Sequence, residues 1–495
     1  MSKGNVLTEV AWVKTNLGNR TVRDVFLNVE NLELDQNVSG FIYGAQMRFF
    51  LTIAPIIFRE ACGRIEGVTP EVVDKVLFSL KDHANLFDDV RPFLQITDDD
   101  AKPFKIREAK TESSKLFPSA DGPSEAQATF WDFDSPKETL STEEAVLALL
   151  CYYFYGPGTN TKLYEGKEEK SSKLTNGSSA LQYKNSVEII PLGENLFTTI
   201  FMNTPKDFTK LDGDGELLPH WADREGFSFY KEDSEVVIPS LWRFSWSANT
   251  VYLDWNDDKT LSFVTRGGAP DKWRKMIPPA EKETFHGKTF HDFRQEQDPF
   301  YFYKKVEEKG VLINKLHRFS LSSEPYLTVA QWHAQQISTR LRDKWKRTLI
   351  RADNPTNVIF LEHRTEGTAQ SFAIRYSNVV AGFRDELFPD EQQQQSISEQ
   401  SEDLLRMRAR VRGFFTQNGT MKHIANRQED MENAYWGEIQ GLLPIMLEGQ
   451  VSSVEMRKMI VQSAAVAFEK VSSSKNTVHI KAHLSALRMI RGMKW

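Results

Sequence analysis

Two apolar runs constrain this chain more than any other feature. FFLTIAPIIF begins at Phe49 and AVLALLCYYFY at Ala145. Each is too continuously apolar to leave a face in water, and each falls short of the roughly 18 residues a membrane span needs. Both predict helices buried in a globular core. Around the first, Phe41, Ile42, Ala45, Phe49, Leu51, Ile53 and Ile56 to Phe58 lay out a buried helix between Val38 and Arg64, kinked or interrupted near Pro55. Before the second, Ser141 to Glu144 has the S-x-x-E form of a capping box, which marks the helix start. A chain of 495 residues has room for such a core and, at roughly 150 residues each, for about three domains.

Composition narrows the function classes. Only Cys62 and Cys151 are present, so neither a disulfide framework nor a four-cysteine zinc site can be built. The opening MSKGNVLTEV lacks the basic and apolar regions of a secretory signal, and the expectation is a cytoplasmic protein without membrane attachment. Lys and Arg total 62 against 68 Asp and Glu, a net charge of −6. That excludes a uniformly basic nucleic-acid coat but leaves room for a local basic face.

Along the chain, VLTEVAWV reads as a strand, and TVRDVFLNV as a strand or a first helical turn. Thr69 caps a helix over Pro70 to His83, and Asp98 to Ala128 reads as a long polar loop. After the helix at Ala145 comes another long polar loop, then a β-rich middle with SVEIIPL, LWRFSW, TVYLDW and FYFYKKV. A helix over Thr328 to Arg351 spaces Ile337, Leu341, Trp345 and Leu349 by four, and NVIFLEHRTEGTAQSFAIRY reads as a hairpin with its tip at Glu366 to Ala369. DEQQQQSISEQSED marks a low-complexity boundary. Beyond it, helical patterns run over about Ile397–Phe415, Glu429–Leu447, Val454–Val471 and Val478–Met493. The expected fold class is α+β: a large mixed α/β domain over 1–389, a linker over 390–403 and a four-helix bundle over 404–495.

No phosphate loop, nucleophile elbow or zinc-protease helix occurs. Asp212 to Glu216 reads as an acidic turn rather than a calcium loop, because the sixth-position glycine is missing. His286 and His291 lack a third ligand at fixed spacing, so no catalytic constellation, metal or cofactor is expected. A metal-dependent phosphohydrolase or nuclease using these histidines stays as the enzymatic alternative, and a structural scaffold subunit as another. Candidate nucleic-acid contacts are three. GPGTNTK (Gly156 to Lys162) is either a plain turn or a backbone that approaches a groove, with Asn160 and Lys162 as polar contacts. DKWRKMIPPAEKETFHGK (Asp271 to Lys288) interleaves Lys272, Arg274, Lys275, Lys282 and Lys288 with Trp273, as a phosphate contact or a solvated loop. The hairpin near Gln370 is a bare hairpin or a wedge.

Taken in order, these pieces resemble one family: the large subunit of the type I-E CRISPR surveillance complex Cascade, the CasA type. The resemblance rests on LTEVAWV with TVRDVFL, the apolar helix after Ser39, FWDFDSP before TEEAVLALL, GPGTNTK, LWRFSWSANTVYLDW, GTAQSF and the bundle with ENAYWGEI. Departures are Glu9-Val10-Ala11-Trp12 in place of an acidic-Pro-Trp opening, the absence of a mid-chain cysteine cluster, and Thr159 and Asn160 in the glycine loop. The resemblance implies a non-catalytic subunit that reads a protospacer-adjacent motif (PAM) in double-stranded DNA, starts strand separation and R-loop formation, and recruits the helicase-nuclease. It implies that Gly158, Thr159 and Asn160 lie against the minor groove, that Lys275 or Lys282 contacts the motif, and that Gln370, flanked by Thr368, Ala369 and Ser371, is the wedge. Phe130, Trp131, Phe133 and Asp134 would anchor the subunit on the 5′ handle of the CRISPR RNA and a neighbouring subunit. The bundle's basic residues would contact DNA and the small subunit.

Overall fold

The computed structural model describes residues 4–97, 110–118, 139–156, 186–211, 215–224, 238–247, 249–268, 297–308, 310–318, 321, 325–351, 355–368, 371–382, 384–472 and 477–495. The chain divides into two compact units, Met1–Arg318 with Trp345–Gly382, and Phe319–Lys344 with Phe383–Trp495.

Among the described residues, the α-helices of the first unit are α1 (Val22–Phe26), α2 (Gly40–Glu60), α3 (Pro70–Ser79), α4 (Thr142–Tyr155), α5 (Leu196–Asn203) and α6 (Ser240–Ser245). Its strands are β1 (Thr111–Glu112), β2 (Ser186–Leu192), β3 (Asn249–Trp255), β4 (Leu261–Gly268), β5 (Tyr303–Glu308), β6 (Val311–Leu316), β7 (Asn357–Thr368) and β8 (Ser371–Ala381). Among the described residues they form antiparallel sheets in the orders β1-β4-β3 and β2-β7-β8, and the hairpin β5-β6.

Helix α2 is the axis of this unit. Ser39 caps it by accepting from the Ile42 amide, and it packs against α4, α5, β7 and β8. It runs through Pro55 unbroken, against the expected interruption. It is also longer and more apolar than the run from Phe49 suggests: by length and composition it could cross a membrane, yet 83% of that apolar window is buried inside the protein. The apolar run covers only its second half because Arg48, the only charge between Gly40 and Ile57, interrupts the pattern. Helix α4 is buried at every position from Ala145 to Tyr155 and starts with the expected capping box: Ser141 accepts from the Glu144 amide at 3.3 Å, and Glu144 accepts from the Ser141 amide at 3.0 Å. Ser141→Ala is expected to cost about 1 kcal/mol in urea unfolding of the full chain; a change under a few tenths would show that the cap is dispensable.

Several expectations are corrected here. VLTEVAWV is not a strand but a set of turns with isolated bridges, Asn5 to Asn85 and Val13 to Arg20. Asn5 Oδ1 accepts from the amides of Leu7 and Thr8, and the Glu9 carboxylate from those of Gly4 and Asn5, so side chains satisfy the backbone that a ladder would need. TVRDVFL resolves as α1, boxed by Thr21 and Asp24. LWRFSW is helix α6, not a strand, a short apolar run whose period cannot tell the two apart. The hairpin stands, but Glu366 to Thr368, expected in its tip, are still paired strand at the end of β7.

The second unit holds α7 (Pro325–Ala334), α8 (Ile337–Trp345), α9 (Arg384–Leu387), α10 (Glu391–Phe414), α11 (Gln428–Ile439), α12 (Leu443–Glu448), α13 (Ser453–Ser472) and α14 (Thr477–Arg491). The four helical patterns expected for the bundle correspond to α10, α11 with α12, α13 and α14, around Met407, Val411, Tyr435, Trp436, Ile460, Phe468 and Ile490. The expected linker over 390–403 is instead the first half of α10. Gln394, Ser398, Gln400 and Ser401 are buried there, and Gln394 meets His333 of α7, Ser338 of α8 and Ser398 of its own helix. Polar composition does not mean solvation in this segment. The helix expected over 328–351 is two, α7 and α8, broken at Gln336, whose φ is +51°. Residues 319–344 thus join the bundle rather than the first unit.

Candidate nucleic-acid interface

Most residues singled out for nucleic-acid contact lie outside the described residues: Gly158, Thr159, Asn160, Lys162, Lys275, Lys282, Ala369, Gln370, Phe130, Trp131, Phe133 and Asp134. His286 and His291 of the enzymatic alternative lie outside them too. Thr368 is described, as the last residue of β7, opposite Ser371 of β8. What the structure describes is the frame from which those stretches leave and to which they return.

The frame is tied together by a cluster of buried charges that composition alone does not bring out. Arg48 projects from the middle of α2 with its side chain wholly buried. Its guanidinium pairs with Asp298 at 2.7 Å and with Glu188 of β2 at 3.1 Å, and its Nε donates to the Tyr155 hydroxyl at 3.2 Å. That hydroxyl donates in turn to Glu188 Oε1 at 2.8 Å. His363 of β7 places Nε2 3.2 Å from the same oxygen and Nδ1 2.8 Å from Ser377 Oγ on β8. An Nε2–H tautomer satisfies both contacts: it donates to Glu188 and accepts from Ser377. The rings of Tyr155, Phe244, Phe300 and Tyr301 surround the guanidinium at 5.1–5.9 Å.

Electrostatics follow from burial. Desolvation opposes the Arg48 charge, but the carboxylates of Asp298 and Glu188 outweigh it and hold its pKa well above the ordinary value. Burial, and then the Glu188 charge, keep the Tyr155 and Tyr301 hydroxyls protonated well beyond the usual phenol range. Asp298 has a second task. Its Oδ1 accepts from the amides of Phe300 and Tyr301 at 3.0 and 3.2 Å, which fixes the backbone just before β5. At the end of α4, Asn249 of β3 donates to the carbonyls of Tyr152 and Gly156 at 2.9 and 3.1 Å. A Cβ on Gly156 would lie 2.4 Å from the Tyr152 carbonyl, so the residue must be glycine for the chain to leave the helix here.

The sequence carries a signal for this cluster. Arg48 is the lone charge of an apolar helix segment and Glu188 the lone charge of SVEIIPL, and a buried charge requires a partner. Among the described residues, no group of three or more His, Cys, Asp or Glu side chains stands close enough to hold a metal ion.

A family model described as CRISPR-associated protein Cse1 matches residues 39–370, from the cap of α2 to Gln370. The chain belongs to the Cse1 family. The match takes in the whole Arg48 cluster except Ser377, together with every contact candidate named at the head of this subsection. No curated protein sequence matches the chain. Solved structures share the fold over nearly its full length. A chain of a CRISPR RNA-guided surveillance complex is 15% identical with a TM-score of 0.66, covering 99% of this chain and 100% of that one. CasA (Cse1) of Thermus thermophilus is 16% identical with a TM-score of 0.56, covering 99% of each chain. Cse1 of Thermobifida fusca is 13% identical with a TM-score of 0.60, covering 98% and 97%. The resemblance to the CasA type drawn from the sequence is upheld at the level of family and fold.

Proposed function

We propose that this Cse1-family chain works as the non-catalytic large subunit of a type I-E RNA-guided surveillance complex in the cytoplasm. It reads a short motif beside the target in duplex DNA while the guide RNA reads the target itself, a division that leaves the protein only a few base pairs to recognise. The stretch with Gly158, Thr159, Asn160 and Lys162 lies along the minor groove, whose degenerate pattern suits a tolerant reader. Lys275 or Lys282 contacts the motif. Thr368, Ala369 and Gln370 wedge the first base pairs apart, at a cost of a few kcal/mol per step that groove and phosphate contacts offset. Phe130, Trp131, Phe133 and Asp134 anchor the subunit on the guide RNA handle, and the bundle meets the small subunit. The opened complex then recruits the helicase-nuclease.

The observation that carries this reading is the family match, which spans every one of these stretches outside the bundle, together with the fold shared with a chain of an RNA-guided surveillance complex. Its test is duplex binding by the complete complex assembled with and without this chain, on guide-matched targets that differ only in the flanking base pairs, at two salt concentrations. Discrimination of the flank should vanish without the chain; equal discrimination either way would overturn the proposal. Within the complex, Lys275→Ala or Lys282→Ala should weaken motif-dependent binding about tenfold, the scale of one lost base contact. Gln370→Ala should slow strand opening more than it weakens first contact. Wild-type opening rates in that variant would remove the wedge.

A further inference from the structure

Arg48 is met by side chains from stretches far apart in sequence: Tyr155 at the end of α4, Glu188 near the start of β2, and Asp298, with His363 of β7 joined through Glu188. Tyr155 and Glu188 flank the stretch 157–185, Asp298 follows the stretch 269–296, and β7 leads to Thr368. One guanidinium, directly or through Glu188, therefore links described residues that border the stretches carrying the DNA-contact candidates. Stability does not require this arrangement. A buried ion triad commonly gains nothing over apolar groups of the same volume, and its better-attested use is to fix register. The contacts here are directional and of fixed length, whereas apolar side chains can slide. Glu188 adds a register lock: it sits opposite Leu361 in the β2–β7 ladder, and a slip of one residue would turn it away from Arg48.

We propose that Arg48 is a positioning residue, which sets the spacing between the end of α4, the start of β2, the Asp298 turn and the β7–β8 hairpin so that their outer stretches meet DNA as one surface. The proposal rests on the assignment of those stretches to DNA recognition. Arg48→Met alone would leave two buried carboxylates without a cation, so it is uninformative if the chain fails to fold. The informative variant is the neutral triple R48M/E188Q/D298N. In it the amide that replaces the Glu188 carboxylate can still bond Tyr155 and His363, and the amide that replaces the Asp298 carboxylate can still accept from Phe300 and Tyr301. R48K is its companion: it keeps the charge and loses the fork that reaches three partners at once.

Hydrogen exchange on the full chain, read at the amides of Gly156, Ile189 and Phe300, should accelerate at least tenfold and in concert in both variants, with α13 unchanged. These amides are bonded in the wild type to the Tyr152 carbonyl, the Phe300 carbonyl and Asp298. In the complete complex, flank discrimination should fall about tenfold while binding to duplex lacking the motif stays the same. Unchanged exchange, or a change confined to one of the three amides, overturns the clamp whatever the DNA does. Concerted loosening with full discrimination overturns the positioning role. If the wild-type complex itself shows no flank discrimination that depends on this chain, the recognition assignment fails, and the exchange data alone judge the clamp.

Discussion

Gly44→Ala should destabilise the first unit by about 4 kcal/mol, measured as a shift of its urea transition in the full chain. Gly44 stands one turn before Arg48 on α2, on the face that meets Tyr155. A Cβ there would lie 2.0 Å from the Tyr155 hydroxyl oxygen, 2.9 Å from its Cζ and 3.0 Å from Leu361 Cδ1. The hydroxyl has no free path out of the way, because it accepts from Arg48 and donates to Glu188, and burial raises the penalty for leaving either unmet. Overpacking a core commonly costs about 1–3 kcal/mol. Breaking a hydrogen bond to a buried charge adds about 1.5–3 kcal/mol. Tyr155→Phe removes the clashing atom, so the double variant G44A/Y155F should be well short of the sum of the single changes. A Gly44→Ala loss under 1 kcal/mol, or strict additivity with Tyr155→Phe, would show that the helix does not seat on Tyr155 in this way.

Which parts of this fold can be read from the sequence follows from how local their causes are. The caps at Thr69 and Ser141 are legible because a capping residue acts on amides two or three positions away. The runs around Phe49 and Ala145 are legible because nothing but a core accommodates them. The break at Gln336 is not, since no glycine or proline marks it and the face formed by Ile337, Leu341 and Trp345 resumes beyond it. Nor is α10, where Gln394, Ser398, Gln400 and Ser401 are buried by partners that lie elsewhere in the sequence. Propensity and composition describe a segment alone; packing overrides both.

For the candidate site the division is similar. Lysines, glycines and a glutamine stand out for the chemistry they offer to a groove, and they are conspicuous because they sit in polar stretches. The residues of the Arg48 cluster are inconspicuous one at a time. Asp298 and His363 look ordinary until Arg48 is placed 2.7 Å from one and Glu188 3.2 Å from the other. Arg48 and Glu188 can each be flagged as a lone charge in a buried element, but sequence has no means of pairing residues that are 140 positions apart.

The second unit should lose about 3 kcal/mol of stability as pH falls from 6.5 to about 4, through one histidine. His333 of α7 is fully enclosed. Its Nε2 donates to the Glu386 carbonyl at 2.6 Å and its Nδ1 accepts from the Gln394 side-chain amide at 3.2 Å, so the neutral ring is satisfied at both nitrogens. A second proton would have to sit on Nδ1, against that amide, in an enclosed site. Burial, with the Arg342 charge adding to it, pushes the pKa down from 6.5 to about 4, and the bond to Glu386 opposes them only in part. Because the folded pKa lies below the unfolded one, the unfolded chain binds the proton first. Stability is therefore complete above pH 6.5 and declines as pH drops toward 4; a pKa lower by one in the folded state than in the unfolded is worth about 1.4 kcal/mol. Carboxylates titrate in the same window, so the measurement is a difference: urea unfolding of wild type and His333→Gln at about pH 7, 5.5 and 3.5, spanning the two pKa values. Glutamine can keep one polar contact and cannot take the proton, so it should cost stability at neutral pH and lose less of it on acidification. Parallel curves across that range would mean that His333 is protonated without penalty, and that the buried seam between α7 and α10 is looser than its hydrogen bonds indicate.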